Sequence, residues 1–203
     1  MDITLDTGAA LKYFKKHDPL MAELLKASLK GNTPLTLPTP KKPAQYFGSI
    51  VTSIVSQQVS THAARAINAR VKKALGTITP KNVVAIPFDT LKACGLSTKK
   101  TEYIKRNAEL WHEIQVRNFV HMDDEDIIKE LIKLYGIGRW TAEMFLIFSM
   151  GRPDVFSYGD LGLMQSFATH YKPHHVRNME AVVNMWSPYR TIASLVLWYK
   201  KDI

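Results

Sequence analysis

The sequence predicts an all-α fold. Apolar residues recur at helical spacing along nearly the whole chain, and no stretch alternates strictly enough to make a half-buried strand. The breaks between periodic stretches carry proline, glycine and helix-capping residues, and no internal repeat is visible.

Taken in order, residues 8–15 and 18–29 read as two short helices. Asp18 followed by Pro19 starts the second with a cap and a first-turn proline. Residues 33–43 hold four prolines and read as a linker or wrapping arm. Residues 44–74 read as one or two helices, with Phe47, Ile50, Val51, Ile54 and Val55 on one face. Thr79-Pro80 and Pro87 punctuate shorter elements. Ser97 caps a helix to about residue 115, and Asp123 or Asp124 caps another to about residue 134. Further helices are expected over 138–150, after Asp160 and over 188–200.

Lys plus Arg number 27 against 18 Asp plus Glu, a formal net charge of +9. Such a balance favours a polyanionic partner, although basic proteins have other uses too. The single cysteine, Cys94, excludes a disulfide within the chain, a four-cysteine iron–sulfur cluster and a cysteine-rich zinc site. Cys94 reads as a small buried apolar residue. The N-terminal residues lack the charged-then-apolar pattern of a signal segment, and no apolar run reaches membrane-spanning length. A reducing compartment and no membrane association are expected. His170, His174 and His175 lack an acid or cysteine at ligand spacing, which reads against a metal there.

The most telling stretch runs from Leu134 to Leu163. In Leu134-Tyr135-Gly136-Ile137-Gly138, two glycines flank one apolar residue before an apolar helix. Glycine allows positive φ and close backbone approach, and Ile137 can plug into the core to hold the turn. The N–H groups of Gly136, Gly138 and the next helical turn would then point outward together and grip a phosphate oxygen. Arg139 and Lys133 add positive charge nearby. The carbonyls of Ile132, Leu134 and Gly136 are candidate ligands for a structural Na+ or K+; no other cofactor is expected. An ordinary helix–turn–helix joint also uses glycine, so the hairpin alone leaves both readings open.

Asp160 precedes an apolar helix, and its ordinary role is an N-cap. A cap also keeps a carboxylate on a positive helix end, and an anion there can stabilise an oxocarbenium-like cation at a sugar carbon. Asp154, in the loop after Pro153, reads as structural.

These segments resemble a known family. Gly-Ile-Gly-Arg-Trp-Thr-Ala (136–142), Asp-Val-Phe (154–156) and Gly-Asp-Leu-Gly-Leu (159–163) are similar to motifs of the helix-hairpin-helix DNA glycosylases. Within that family the resemblance is to the alkylation-repair branch, with bacterial 3-methyladenine DNA glycosylase II and the yeast methyladenine glycosylases. Residues 47–70 resemble its Gln-Gln-Leu-Ser helix pair, residues 95–108 its Gly-Leu-Ser-x-x-Lys helix, and residues 186–198 its terminal Trp-x-Pro-Tyr-Arg…Leu-Trp helix. The resemblance runs from about residue 44 to 200.

It implies a two-lobed all-α fold with the active site in the cleft between lobes. Residues 1–203 would form one catalytic unit, with one lobe over 44–150, carrying the hairpin at 134–140, and the other over 1–43 plus 151–203. About 43 residues precede the match, which looks like the compact form without an added β domain. By the same resemblance Asp160 is the catalytic aspartate. Trp140 stands where bifunctional relatives place a lysine nucleophile, so a monofunctional enzyme without strand-nicking lyase activity is expected. Trp140, Met144 and Trp198 match base-pocket positions, where stacking suits a cationic alkylated purine. At helical spacing the two indoles read equally well as core residues. Met144 replaces a tyrosine of bacterial relatives and softens the pocket. Gln57, Gln58, Val59 and Ser60 match the loop that probes the minor groove, with Val59 the wedge candidate. Lys99, Lys100, Lys105 and Arg106 are phosphate contacts or a solvated basic face.

The implied function is base excision repair by a monomer that flips and hydrolytically releases 3-methyladenine or 7-methylguanine from double-stranded DNA, in the cytoplasm or nucleoid if bacterial and in the nucleus if eukaryotic. The alternatives are a non-catalytic lesion-binding module and a glycosylase for other damaged purines.

Overall fold

The computed structural model describes residues 5–30 and 34–201, and its described residues contain helices and no strand. Residues 1–4, 31–33, 202 and 203 of the lobes and arm expected from sequence lie outside the described residues. In chain order the helices are α1 (Thr7–His17), α2 (Pro19–Lys30), α3 (Tyr46–Ser56), α4 (Thr61–Leu75), α5 (Pro80–Ala85), α6 (Phe88–Lys92) and α7 (Thr98–Leu110). They continue with α8 (Asp124–Leu131), α9 (Arg139–Phe145), α10 (Leu161–His170), α11 (Pro173–Arg177), α12 (Met179–Met185) and α13 (Arg190–Lys201). Short 3-10 segments cover Pro43–Gln45 and Val116–His121, and a π-helical turn covers Leu146–Met150. The chain divides into two compact units, residues 1–40 with 146–203, and residues 41–145.

Most helix starts follow from capping chemistry. Asp6, Ser60, Thr79, Ser97 and Asp160 each accept a first-turn N–H of α1, α4, α5, α7 and α10. Asp123 holds the cap position of α8 without a side-chain bond. Two expected spans are corrected. The helix after Ser97 ends at Leu110 rather than near 115, and turns and the 3-10 segment follow it. The helix expected over 138–150 is α-helical only to Phe145 and widens into the π turn, where Arg152 N–H donates to Leu146 C=O at 3.0 Å. Such widenings are rare and occur often at functional positions.

In the 41–145 unit, α3 is buried through Phe47, Ile50, Val51, Ile54 and Val55, as its periodicity predicts. Ile104, Phe119, Ile127, Leu131 and Phe145 are buried in the same unit. In the other unit, Phe14, Met21, Leu25, Phe167, Trp186 and Val196 belong to one core. A carboxylate sits inside that core. Asp18 is 6% exposed; its Oδ1 caps α2 by accepting Met21 N–H at 3.1 Å. Its Oδ2 accepts the Tyr171 hydroxyl and the Trp186 indole N–H, both at 2.7 Å. Three donors compensate its burial. Burial and this neighbouring carboxylate push the Tyr171 phenol far above its ordinary pKa, which keeps its proton in the bond.

Asp18→Ala strands two side-chain donors and one backbone donor in the core. Urea unfolding should show a loss of about 3 kcal/mol, since each buried unsatisfied group costs roughly 1–3 kcal/mol. A loss under about 1 kcal/mol would mean that the network contributes little.

Candidate functional site

The hairpin joins α8 to α9. Leu134 and Ile137 are buried, so the apolar residue between the glycines does anchor the turn, with Ile137 N–H donating to Leu134 C=O at 3.3 Å. Gly136 has φ +75, and a side-chain carbon there would overlap the ring of Tyr103. Glycine is therefore required twice over, by dihedral and by space. Gly138 has nothing within 4 Å of an added Cβ.

The turn is held from α7. Asn107 is fully buried and clasps Tyr135 by both backbone groups, accepting its N–H at 2.7 Å and donating to its C=O at 2.9 Å. Arg106 lies over the Tyr135 ring at 5.0 Å.

The charge beside the hairpin differs from expectation. Arg139 is paired with Glu125 by both carboxylate oxygens and with the buried Glu143 at 2.9 Å, and Lys133 is paired with Glu130. The side-chain bond from Arg139 holds the Glu125 carboxyl below its ordinary pKa. Much of the positive charge read from Arg139 and Lys133 is thus compensated locally. The basic start of α7 is corrected too. Lys100 donates to Val55 and Gln57 carbonyls, and Lys105 to those of Val83, Val84 and Ile86, so both close helix ends instead of facing solvent. Lys99 is exposed, with its ammonium 5.7 Å from the Tyr103 ring centre.

Between α3 and α4, residues 57–60 make a tight connection. Gln58 takes φ +55 and is exposed with Val59 and Ser60, while the Gln57 amide donates to Gly136 C=O at 2.9 Å. That bond occupies one of the three carbonyls read as cation ligands, and Leu134 C=O already accepts Ile137 N–H. Each of these two oxygens keeps a second lone pair, so the set Ile132, Leu134 and Gly136 retains acceptor capacity for a cation.

A cavity of about 720 Å³ opens within the 41–145 unit. Ser53 and Ser56 of α3, Gln57 and Gln58 of the loop, Tyr103 of α7 and Gly136 of the hairpin line it, with Trp140 and Met144 of α9. Trp140 is 47% exposed, so it is no core residue, and Met144 is half-buried.

In the other unit, Asp160 caps α10. Its Oδ1 accepts Leu163 N–H at 2.8 Å and the indole N–H of Trp198 at 3.0 Å. Both donors and the helix end favour negative charge on this half-buried group. Trp198, read from sequence as a stacking aromatic, is thus also a hydrogen-bond donor that orients the carboxylate. Phe148, exposed on the π turn, lies 5.8 Å from Trp198 between ring centres. Asp154 is engaged by Ser187 Oγ at 2.7 Å, Arg190 N–H at 3.2 Å and the Arg190 guanidinium at 3.4 Å. Among the described residues no group of three or more His, Cys, Asp or Glu can hold a metal ion, and no helix is long and apolar enough to cross a membrane.

Sequence reasoning missed Asn107, the two Lys clasps and the Gln57 bond. An asparagine inside a predicted helix is the one sequence signal that could have found Asn107, since asparagine is a poor interior helix residue.

Residues 51–188 match the model of the HhH-GPD superfamily base excision DNA repair protein. A Bacillus subtilis protein provisionally named DNA-3-methyladenine glycosylase is 29% identical over 75% of this chain. That match spans 58% of the relative's own length. The crystal structure of a Bacillus halodurans DNA-3-methyladenine glycosidase is 31% identical, with a TM-score of 0.81 over 95% of this chain and 88% of that one. The Schizosaccharomyces pombe 3-methyladenine DNA glycosylase, solved in complex with abasic DNA, is 26% identical, with a TM-score of 0.78 over 96% of this chain and 97% of that one.

The two hairpin glycines separate by experiment. Gly136→Ala should lower stability by about 2 kcal/mol or more, combining positive-φ strain with the Tyr103 clash. Gly138→Ala should change stability by less than about 0.5 kcal/mol in the same denaturant titration. Equal costs would refute the steric assignment.

Proposed function

The chain belongs to the HhH-GPD superfamily of base excision DNA repair proteins, and on that premise we propose a monofunctional DNA glycosylase that hydrolyses the bond between deoxyribose and an N-alkylated purine in duplex DNA. The carrying observation is Asp160, a half-buried carboxylate on a helix N-terminus that accepts both a backbone and an indole N–H on one oxygen.

A purine methylated at N3 or N7 already bears positive charge. The electrons of the glycosidic bond leave with it, and it departs as a neutral base. Positive charge then builds on the sugar at C1′ and O4′. Asp160 stabilises that charge and orients the water that adds to C1′, whose proton passes to solvent. Little general-acid help is needed for such a leaving group. Trp140 offers an exposed indole face to an electron-poor cationic base, and Met144 a soft apolar neighbour. No lysine amine replaces Trp140, so no Schiff base forms, and the product is an unbroken strand with an abasic site. The hairpin N–H groups hold a backbone phosphate without reading sequence, and Gln58, Val59 and Ser60 fill the space of the flipped nucleotide.

Base release from methylated duplex DNA tests the reading. Wild type should free 3-methyladenine or 7-methylguanine and leave intact abasic strands, and Asp160→Asn should lose at least about 100-fold in rate. Full activity in Asp160→Asn would sink the mechanism. Binding without release in wild type would turn the reading to a lesion-binding module.

Glu125→Gln should leave Arg139 with less compensated charge. Binding to undamaged duplex should tighten about two- to threefold at low salt, measured by fluorescence anisotropy, and the difference should vanish at high salt. Weaker binding would show that the pair holds Arg139 in its binding position.

A further inference from the structure

Helix α7 carries two side chains that hold other parts of the 41–145 unit, and they lie on one face. Lys100 and Asn107 are seven residues apart, two helical turns or about 10 Å along the axis. Lys100 Nζ donates to Val55 C=O at 2.8 Å and Gln57 C=O at 2.5 Å, at the end of α3. Asn107 closes its two-bond clasp on Tyr135 of the hairpin. A third tie, Gln57 Nε2 to Gly136 C=O at 2.9 Å, joins the two held segments directly.

We infer that α7 is a bracket that sets the spacing between the probing loop and the phosphate-gripping hairpin, and that Lys100 is its positioning residue on the loop side. The inference rests on the DNA reading above.

The last carbonyls of any helix lack intrahelical donors, and water would satisfy those of α3 without fixing the chain that leaves them. An ammonium does both. Burial lowers the Lys100 pKa below the ordinary lysine value, as expected for a charge drawn from water towards carbonyls. The loop needs such a hold. Gln58 sits in the left-handed region at φ +55, where non-glycine residues persist only when their surroundings impose it. The loop's other ends are also tied, by Gln57 to the hairpin and by Ser60 Oγ, which accepts Ala63 N–H at 3.2 Å. Phosphate contacts fix a protein's register on a duplex. A wedge held at a constant distance from the phosphate anchor then enters the base stack at one defined step. Loosened, it would let the hairpin bind while the nucleotide stays stacked.

The test uses a duplex with a tetrahydrofuran abasic analogue and 2-aminopurine beside it, so it does not depend on base release. Wild type should bind and raise the 2-aminopurine fluorescence as the stack opens. Lys100→Met should bind within about threefold of wild type, because the hairpin clasp is intact, yet lose at least about half of the fluorescence rise. Lys100→Arg should restore part of it. If Lys100→Met melts early, Gln57→Leu cuts the cross-tie without touching the α3 carbonyls and should lose a similar share of the fluorescence rise. A full rise in the variants overturns the inference. So does a parallel fall of binding and fluorescence that arginine does not repair, which marks a merely structural lysine. Absence of any rise with wild type overturns it as well, while base release by wild type decides the activity reading on its own.

Discussion

The clasp of Asn107 on Tyr135 is the interaction on which the 41–145 unit turns. One buried amide satisfies the N–H and the C=O of a residue at the mouth of a tight turn. Neither group has a helical partner there, and a buried backbone group left unpaired costs as much as a lost hydrogen bond. The clasp therefore fixes the turn in the geometry that needs Gly136 at positive φ beneath Tyr103. From that fixed turn, Gly136 offers its carbonyl to Gln57, and α9 leaves with Trp140 exposed on the cavity. The hairpin, the 57–60 loop and the cavity wall share one origin in α7.

The other unit contrasts two aspartates that look alike in sequence. Asp18 and Asp160 each precede an apolar helix and each cap it. Asp18 is sealed in the core by Tyr171 and Trp186, with donors on both oxygens. Asp160 is half-buried, and Leu163 N–H and the Trp198 indole reach its Oδ1 at 2.8 and 3.0 Å. The first arrangement is closed to solvent. The second leaves the carboxylate partly accessible, as the proposed role beside a developing cation would require. Each carboxylate has a tryptophan donor, so the aromatic partner does not separate them; burial does.

Charge gives a similar lesson. A surplus of nine positive charges favours a polyanionic partner, but it does not say which side chains would make contact. Lys100 and Lys105 spend their charge on helix carbonyls, and Arg139 on Glu125 and Glu143. The hairpin's hold on phosphate would then rest more on backbone N–H groups than on its flanking cations, in keeping with a sequence-independent anchor.

By itself the sequence determined the all-helical class, most helix starts, the buried face of α3, the apolar plug at Ile137 and the cap at Asp160. These follow from local rules of period, capping and glycine dihedrals that act within a few residues. Tertiary structure alone decided the partners of Asn107, Lys100, Gln57 and Trp198, which lie 28, 43, 79 and 38 residues away along the chain. It also decided that the helix after Trp140 widens into a π turn and that Asp18 is sealed while Asp160 stays half-open. Burial and long-range hydrogen bonds depend on which surfaces meet, and no local pattern carries that information.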